Sequence, residues 1–343
     1  MLWIEKYRPR DFSQILGQEN VVARLNSFAE AGTIPHLQFT GPHGTGKSIC
    51  MECLASALFK DSIDENLTII QAADLFALGK KYLENKERYA HIYRKDQSLL
   101  TNFKNITRWH ASIRPLDAEF RLIVFEGASS LTREAQAALR RIMERYSRTC
   151  RFILISTHPS GIIPAIRSRC LPFFFSSLDE EIIRANIQTV LNSEKLSVTD
   201  IPTDEIDLIV QAADGDLRKA LVLLQSRVES GKSFDLLRCS RTEVSQVAHA
   251  VFTAMVAGDM DTAIRRIEIL MIEYGLSPDE VLQEIRTAAK REYNDPRIAE
   301  SIGNADYVIR HCNNEYIQLN ALVSRIVTEV FHECFTKESP PAL

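Results

Sequence analysis

The sequence has few features of a secreted or membrane-embedded protein. No run of apolar residues approaches the ~18 that a membrane-spanning helix needs. The first residues, Met1-Leu-Trp-Ile-Glu-Lys, lack the hydrophobic segment of a secretory signal. The seven cysteines are odd in number and irregularly spaced, unlike a disulfide framework. We therefore expect a cytoplasmic protein with no membrane partner.

Charge of either sign is not in great excess. Hydrophobic residues make up 45% of the 343 residues, charged residues 25%, and the net charge is −4, which is an ordinary globular balance. This charge argues against a protein that coats nucleic acid over its whole surface, but it allows a local basic patch. One such patch spans residues 133–151, which hold six arginines and two glutamates.

The first half of the chain alternates short β-branched runs with helical patterns. Strands are predicted at residues 37–40, 67–70, 121–125 and 150–156. Strands separated by helices predict a parallel sheet that helices cover on both faces. The apolar positions of residues 131–146 recur at helical spacing, so we expect a helix there that packs on this sheet.

Only helical patterns remain from about residue 178 onward, which predicts a change of domain near this point. A length of 343 residues indicates two or three domains at about 100–200 residues each. We predict an α/β domain at 1–175 with an insert at about 76–115, a small helical domain at 176–235, a C-terminal helical domain at 240–336, and a tail at 337–343.

A phosphate-binding loop follows the first predicted strand and precedes a predicted helix. Its sequence matches G-x-x-x-x-G-K-[ST], and the strand–loop–helix context is the one that this motif needs. The glycines let backbone N–H groups point at phosphate oxygens, while Lys47 would neutralise the terminal phosphates and Ser48 would offer its hydroxyl to Mg²⁺. The predicted nucleotide-binding loop consists of Gly41, Pro42, His43, Gly44, Thr45, Gly46, Lys47 and Ser48.

Five motifs, in the same order along the chain, resemble those of sliding-clamp loader small subunits of the archaeal or eukaryotic type (replication factor C). They are Trp3–Pro9 (W-I-E-K-Y-R-P), Pro35–Ser48 around the phosphate loop, Leu131–Ser147 (L-T-R-E-A-Q-A-A-L-R-R), Ile162–Cys170 with its S-R-C, and Gly215–Leu221 (G-D-L-R-K-A-L). The resemblance implies an α/β AAA+ domain with a RecA-like parallel sheet, followed by a helical lid and a helical collar.

The resemblance also implies partners and cofactors. Family members assemble with other large and small loader subunits in a pentameric arc, with ATP and Mg²⁺ at the interfaces. The ATP-bound arc holds the PCNA sliding clamp and grips primer–template DNA. We therefore expect these partners for this chain, and a location at the nucleoid.

Several residues take implied roles from the family motifs. Tyr7, Arg8 and Pro9 would lie along the adenine and ribose, and Arg218 would contact the γ-phosphate from the lid. Arg169, in S-R-C, would be the arginine finger that reaches the nucleotide of a neighbouring subunit. A guanidinium suits this role because its planar fork pairs with two phosphate oxygens.

The predicted helix at residues 131–146 faces DNA in the family. Arg133 and Gln136 are therefore candidate contacts to DNA phosphates, and Arg140 is a candidate either for DNA or for a subunit interface. Contacts to the backbone carry no sequence information, which suits a loader that accepts any primer junction. A solvated basic face without a DNA contact remains the alternative.

The acidic motif of the nucleotide site departs from the family pattern L-D-E-A-D. Glu126 stands where the metal-organising aspartate is expected, and Gly127 stands where the glutamate that activates water is expected. Thr157 replaces the usual sensor asparagine. General-base catalysis contributes about 10²–10⁴-fold in rate. We therefore expect Glu126, Thr157 and Arg169 to form a weak or partner-dependent ATPase site, with Ser48 and Glu126 as the metal ligands.

The insert at 76–115 contains a second candidate site. Gln97, Leu100 and Phe103 fit Q-x-x-L-x-x-F, the spacing of a clamp-binding box, which places the two apolar side chains on one face of a helical turn. The family's clamp-contacting helix lies in the same region. An ordinary amphipathic helix gives the same pattern and remains the alternative.

Two other functions compete with the clamp-loader interpretation. A hydrolysis-deficient structural or regulatory AAA+ subunit would explain Glu126-Gly127, whereas the retained Lys47, Arg169 and Arg218 favour continued nucleotide sensing. A Holliday-junction motor would need an intact Asp-Glu pair and a winged DNA-binding domain, and the sequence shows neither.

Overall fold

The computed structural model describes residues 1–86, 89–196, 201–230, 242–293, 295–309, 312 and 314–331. The chain divides into two compact units, Met1–Phe234 and Asp235–Leu343. The predicted tail at 337–343 lies outside the described residues. The boundary that we predict at residue 175 falls inside the first unit and stays a prediction.

Five parallel strands form the centre of the first unit, in the order β2-β3-β4-β1-β5. They are β1 (His36–Thr40), β2 (Leu67–Gln71), β3 (Arg121–Glu126), β4 (Cys150–Ser156) and β5 (Cys170–Phe174). The parallel sheet and its first four strands confirm the prediction. β5 was not predicted. It contains Pro172, which an edge strand tolerates because one side of its backbone needs no partner.

The helices of the first unit alternate with these strands and continue beyond them. They are α1 (Trp3–Lys6), α2 (Glu19–Ala31), α3 (Lys47–Phe59), α4 (Ile63–Asn66), α5 (Ala72–Leu78), α6 (Lys80–Glu84), α7 (Leu99–Ser112), α8 (Arg133–Arg145), α9 (Pro164–Arg167), α10 (Glu180–Ser193), α11 (Thr203–Ala213) and α12 (Leu217–Ser230). Short 3₁₀ turns occur at Phe12–Gln14, Lys60–Ser62, Ala128–Ser130 and Pro159–Gly161.

Helices cover both faces of the sheet, because side chains alternate between the faces along each buried strand. On β3, Ile123 and Phe125 belong to the hydrophobic cluster that includes α7 and α8. Leu122 and Val124 belong to the cluster that includes α2 and α3. The predicted packing of α8 on the sheet is confirmed, and Thr132 caps this helix by accepting a hydrogen bond from the Ala135 N–H at 3.3 Å.

The last three helices of the first unit, α10 to α12, follow the sheet. Gly215, between α11 and α12, has a φ of +83°, and a Cβ there would lie 2.6 Å from the Ser177 Cβ. This turn therefore requires glycine. In addition, the Trp3 N–H donates to the side-chain oxygen of Gln225 at 2.7 Å, which joins α1 to α12.

The second unit is helical throughout its described part and has one hydrophobic core. Its helices are α13 (Thr242–Val256), α14 (Met260–Ile272), α15 (Pro278–Glu292), α16 (Pro296–Ile309) and α17 (Glu315–Arg325), followed by a π-helical turn at Ile326–Phe331. A capping box of Ser277 and Glu280 begins α15. In the described part of the chain, no helix has the length and apolar character to cross a membrane.

Candidate nucleotide-binding site

The loop of residues 41–48 lies where β1 ends and α3 begins. Gly46 directly precedes α3 with a φ of +93°, and no side chain among the described residues caps the first turn of this helix. The N–H groups at such a helix start have no partner inside the helix, so they form a site for an anion. The loop therefore has the backbone arrangement that a phosphate group requires.

Lys47 supplies a buried positive charge to this loop. Its residue is only 9% exposed, and its ammonium donates a hydrogen bond to the carbonyl of Pro42. Burial lowers the pKa of Lys47, the carboxylate of Asp216 opposes this by raising it, and Arg218 lowers it further. A polyphosphate would stabilise this ammonium, because a buried charge needs an opposite charge beside it.

The start of α12 contacts the phosphate loop. A Cβ on Gly44 would lie 1.7 Å from a carboxylate oxygen of Asp216, so these two groups already lie against each other. Asp216 also accepts a hydrogen bond from the Lys219 N–H at 3.0 Å, as a helix-capping residue does. The structure thus brings the exposed Arg218 to the loop. The contact of Asp216 was not predicted, although its capping position before α12 is visible in the sequence.

Glu126 ends β3 at the same edge of the sheet. It lies in register with Gln71 of β2, and the Gln71 amide donates a hydrogen bond to one carboxylate oxygen. The other oxygen and the hydroxyl of Ser48 are oxygen ligands of the kind that Mg²⁺ prefers. Within the described ranges, no cluster of three His, Cys, Asp or Glu side chains could hold a metal ion. The residues present therefore fit a cation that binds mainly through phosphate oxygens and water.

The backbone after Glu126 disfavours a side chain. Gly127 has a φ of +64°, and a Cβ there would lie 3.0 Å from the Cβ of Ala73. The backbone geometry at residue 127, as well as the glycine itself, therefore disfavours the glutamate that the family motif has at this position. On the next strand, Thr157 follows β4 and is half-buried. Its neighbour Ser156 has a buried hydroxyl without a hydrogen-bond partner in the described structure.

The N-terminal segment is fastened to the helix of the phosphate loop. The Arg8 guanidinium pairs with Glu52 on α3 through contacts of 2.6 and 3.1 Å. The hydroxyl of Tyr7 donates to Glu194 at 2.8 Å, which follows α10. Pro9 is half-buried. These contacts hold the segment beside α3 and α10, and its predicted role at the adenine stays a prediction.

Arg169 precedes β5 and contacts α8. One of its terminal nitrogens lies 2.5 Å from the carboxylate of Glu144, and the other donates to the carbonyl of Ala165 at 2.6 Å. Arg140 approaches the same Glu144 oxygen at 3.8 Å. No hydrogen bond or ion pair of the described residues joins Arg169 to residues 41–48. The Arg169 side chain is 37% exposed, so it is available to another molecule.

The burial of Gln136 argues against the predicted contact with DNA, which stays a prediction. This residue is only 3% exposed, and its amide donates to the carbonyls of Leu131 and Gly161 at 2.9 and 2.8 Å. Its oxygen accepts a hydrogen bond from the Ile163 N–H at 2.8 Å. The side chain therefore joins α8 to the segment before α9. Arg133, by contrast, is exposed at the start of α8.

The packing of residues 97–103 favours the ordinary amphipathic helix over the predicted clamp-binding box, which stays a prediction. Phe103 is 1% exposed and packs between the rings of Phe76 and Phe125, at centroid distances of 5.8 and 5.9 Å. Leu100 packs against the same core, and Gln97 accepts a hydrogen bond from Asn105 at 2.9 Å. The apolar face of α7 covers the sheet, as in an ordinary amphipathic helix.

Comparisons with known proteins agree with this architecture. Residues 17–179 match the family described as DNA polymerase III, delta subunit, and residues 244–325 match the replication factor C C-terminal domain. The chain is 32% identical over 332 residues to the replication factor C small subunit of Haloarcula marismortui, covering 95% of this chain and 94% of that protein. It is 33% identical over 342 residues to the one of Methanosarcina barkeri, covering 94% and 95%.

A solved structure shares the fold. The chain superposes on a RuvB variant from Thermotoga maritima with a TM-score of 0.50 and 13% sequence identity, covering 86% of this chain and 88% of that chain. This likeness concerns the fold alone, and it agrees with the predicted parallel-sheet domain followed by helices.

Proposed function

Because this chain belongs to the replication factor C small-subunit family, we propose that it binds ATP as one subunit of a clamp loader that places the PCNA sliding clamp on primed DNA. The observation that carries the ATP site is the loop of residues 41–48, where the buried Lys47 meets Asp216 and Arg218 from α12. This arrangement combines an anion-binding helix start with a lid that contacts it. We propose that this clamp loading takes place on nucleoid DNA in the cytoplasm.

Nucleotide binding would use residues from two segments, the start of α3 and the start of α12. The N–H groups at the start of α3 and the Lys47 ammonium would hold the phosphates. Arg218 would contact the terminal phosphate, and that phosphate would replace Asp216 as the negative group beside Lys47. Because Asp216 and Arg218 lie at the start of α12, binding or loss of the terminal phosphate would shift the helices α10 to α12.

Hydrolysis at this site would be slow. Mg²⁺, held by Ser48 and Glu126, would supply charge neutralisation at the phosphates. Gly127 supplies no carboxylate to orient or deprotonate water, and the left-handed backbone at this position resists adding one. Thr157 and the buried Ser156 place hydroxyl groups near the end of β4, but neither hydroxyl is a base. The site would therefore bind ATP but hydrolyse it slowly.

Arg169 would serve a neighbouring subunit. It is exposed and makes no described contact with its own phosphate loop. An arginine that reaches a neighbour's γ-phosphate contributes about 10³–10⁵-fold to phosphoryl transfer. This subunit would thus hydrolyse its own ATP slowly. Its Arg169 would nevertheless be needed for ATP hydrolysis at the neighbouring subunit's site.

Contacts to DNA would come from the exposed side of α8. Arg133 remains a proposed phosphate contact, because it is exposed at the start of this helix. Arg140 is half-buried and lies beside Glu144 and Arg169, which favours the subunit-interface role over the DNA role. DNA and the other subunits are partners that the family implies for this chain.

A second function is favoured by Gly127 alone. A regulatory subunit that has lost hydrolysis altogether would bind nucleotide only to stabilise its assembly. It would give a loader whose turnover does not respond to Arg169→Ala, whereas the proposed function predicts a strong response.

ATP binding can be measured directly on the purified chain by calorimetry. Lys47→Ala should weaken Mg·ATP binding at least about tenfold, since a charge-assisted contact to phosphate is lost. Lys290→Ala, an exposed lysine on α15, is the matched control and should leave the affinity unchanged. Equal affinities for the wild type and Lys47→Ala would contradict the proposed site.

A further inference from the structure

An open cavity of about 420 Å³ lies within the insert, between residues 91–97 and the outer side of α7. Its wall includes Trp109, whose residue is 38% exposed, and His91, whose ring meets the indole edge-on at a centroid distance of 4.5 Å. Arg94 and Arg108 also line it. This cavity is separate from the phosphate loop, and nothing in the proposed function uses it.

The segment of sequence that supplies most of the cavity is basic. Residues 76–115 contain nine lysines and arginines but only three acidic residues, in a chain whose net charge is −4. Arg94 and Arg108 are both exposed, and neither forms an ion pair within the part of the chain that the structure describes. Two unneutralised guanidinium groups at one cavity favour an anionic ligand.

The polar groups of the cavity can form hydrogen bonds to the edge of a planar ligand. The Asn105 amide donates to the side-chain oxygen of Gln97, which leaves the Gln97 NH₂ group and the Asn105 oxygen without partners among the described residues. One donor and one acceptor thus lie beside an exposed indole. A nucleobase offers both a face that stacks on an aromatic ring and an edge that pairs with amides.

We propose that this cavity binds an unpaired nucleotide of single-stranded nucleic acid, with the base against Trp109 and the flanking phosphates on Arg94 and Arg108. An acidic protein segment could pair with the arginines, but it would leave the indole and the amide pair unused. The inference goes beyond the proposed function and does not rest on it, since the phosphate loop and α8 take no part.

The test measures the binding of a fluorescein-labelled 15-nucleotide oligothymidylate to the full chain by anisotropy. Trp109→Ala and the double variant R94E/R108E should each weaken binding about tenfold, since stacking and phosphate pairing are lost. Trp109→Phe keeps an aromatic face and should retain most of the affinity. R286E changes an exposed arginine of α15 and should have little effect beyond its charge.

Intrinsic fluorescence gives a second readout. The chain has two tryptophans, and Trp3 is buried, so quenching by the oligonucleotide should come from Trp109 and vanish in Trp109→Phe. Thermal melting verifies that each variant is folded. No measurable oligonucleotide binding by the wild type, or equal affinity of the wild type and R94E/R108E, would overturn the proposal. Loss of PCNA binding by these variants with unchanged oligonucleotide binding would assign the cavity to a protein instead.

Discussion

The carboxylate of Glu144 on α8 lies 2.5 Å from the guanidinium of Arg169, the residue that would reach a neighbouring subunit's nucleotide. Both side chains are more than a third exposed. Exposed ion pairs are worth about 0–1 kcal/mol, so a triphosphate can displace Glu144 from this arginine. The carboxylate therefore orients Arg169 in the free subunit without locking it in place. Glu144 was not predicted as a functional residue.

This relationship predicts a specific double-mutant cycle for ATP turnover in the reconstituted loader. Arg169→Ala should abolish turnover at the one site that this arginine completes, because a finger contributes about 10³–10⁵-fold. Glu144→Gln should lower turnover only about two- to fivefold, since it removes an exposed pair. In the Arg169→Ala background, Glu144→Gln should have no further effect. An additive loss in the double variant would show that Glu144 acts at the phosphate by itself.

The geometry of Gly127 predicts that replacing it with glutamate does not restore fast hydrolysis. A side chain there adopts a left-handed backbone and meets the Ala73 Cβ at 3.0 Å. We expect Gly127→Glu to lower the free energy of unfolding by about 1 kcal/mol or more, measured with urea. Adding Ala73→Gly removes the close contact and should recover part of this loss. Normal loader turnover by the single variant would contradict the account.

The burial of Phe103 predicts a loss of stability rather than a selective loss of clamp binding. Phe103→Ala should lower the free energy of unfolding by about 3–5 kcal/mol, because it leaves a cavity between two aromatic rings. Gln97→Ala, at the partly exposed start of the same motif, is the control and should cost far less. If Phe103→Ala were as stable as the wild type and lost only PCNA affinity, the buried position would be incorrect.

His36 predicts a pH dependence of stability. Burial, the largest cause, and the charge of Arg151 together lower its pKa to about 4, although a hydrogen bond to the Met143 backbone opposes them. Its ring nitrogen accepts a hydrogen bond from the Phe152 N–H at 3.2 Å, so the native imidazole is neutral. The unfolded chain binds a proton below about pH 6.5, whereas the folded chain does not until about pH 4.

Stability should therefore fall as the pH drops from about 6.5 to about 4, in proportion to the proton that unfolding takes up. Urea unfolding of His36→Gln should show a smaller loss between pH 7 and pH 5 than the wild type does. His158→Gln, an exposed histidine, should keep the wild-type slope. Identical slopes for wild type and His36→Gln would contradict this origin of the pH effect.

The fold was predictable where periodicity is strong. The first four strands and α8 have apolar positions at one clear spacing, so they could be placed from the sequence. β5 could not, because Pro172 interrupts its pattern and only the neighbouring β1 supplies its partner. The spacing of glycines and lysine in residues 41–48 likewise sufficed to locate the phosphate loop.

The side chains around the site were less predictable, because their partners are distant in the sequence. The contacts of Asp216 with Gly44 and of Glu144 with Arg169 depend on tertiary structure alone. Gln136 and Phe103 belong to motifs that also describe an amphipathic helix, and a motif does not show which face is buried. The structure shows that both face inward.

The central claim is that this subunit holds ATP without hydrolysing it while completing a neighbour's site. The most direct measurement is ATP turnover, with PCNA and primed DNA, of a loader in which every partner's phosphate-loop lysine is replaced and only Lys47 remains. The account predicts bound ATP and turnover near background. Turnover at the rate of an intact loader site would contradict it.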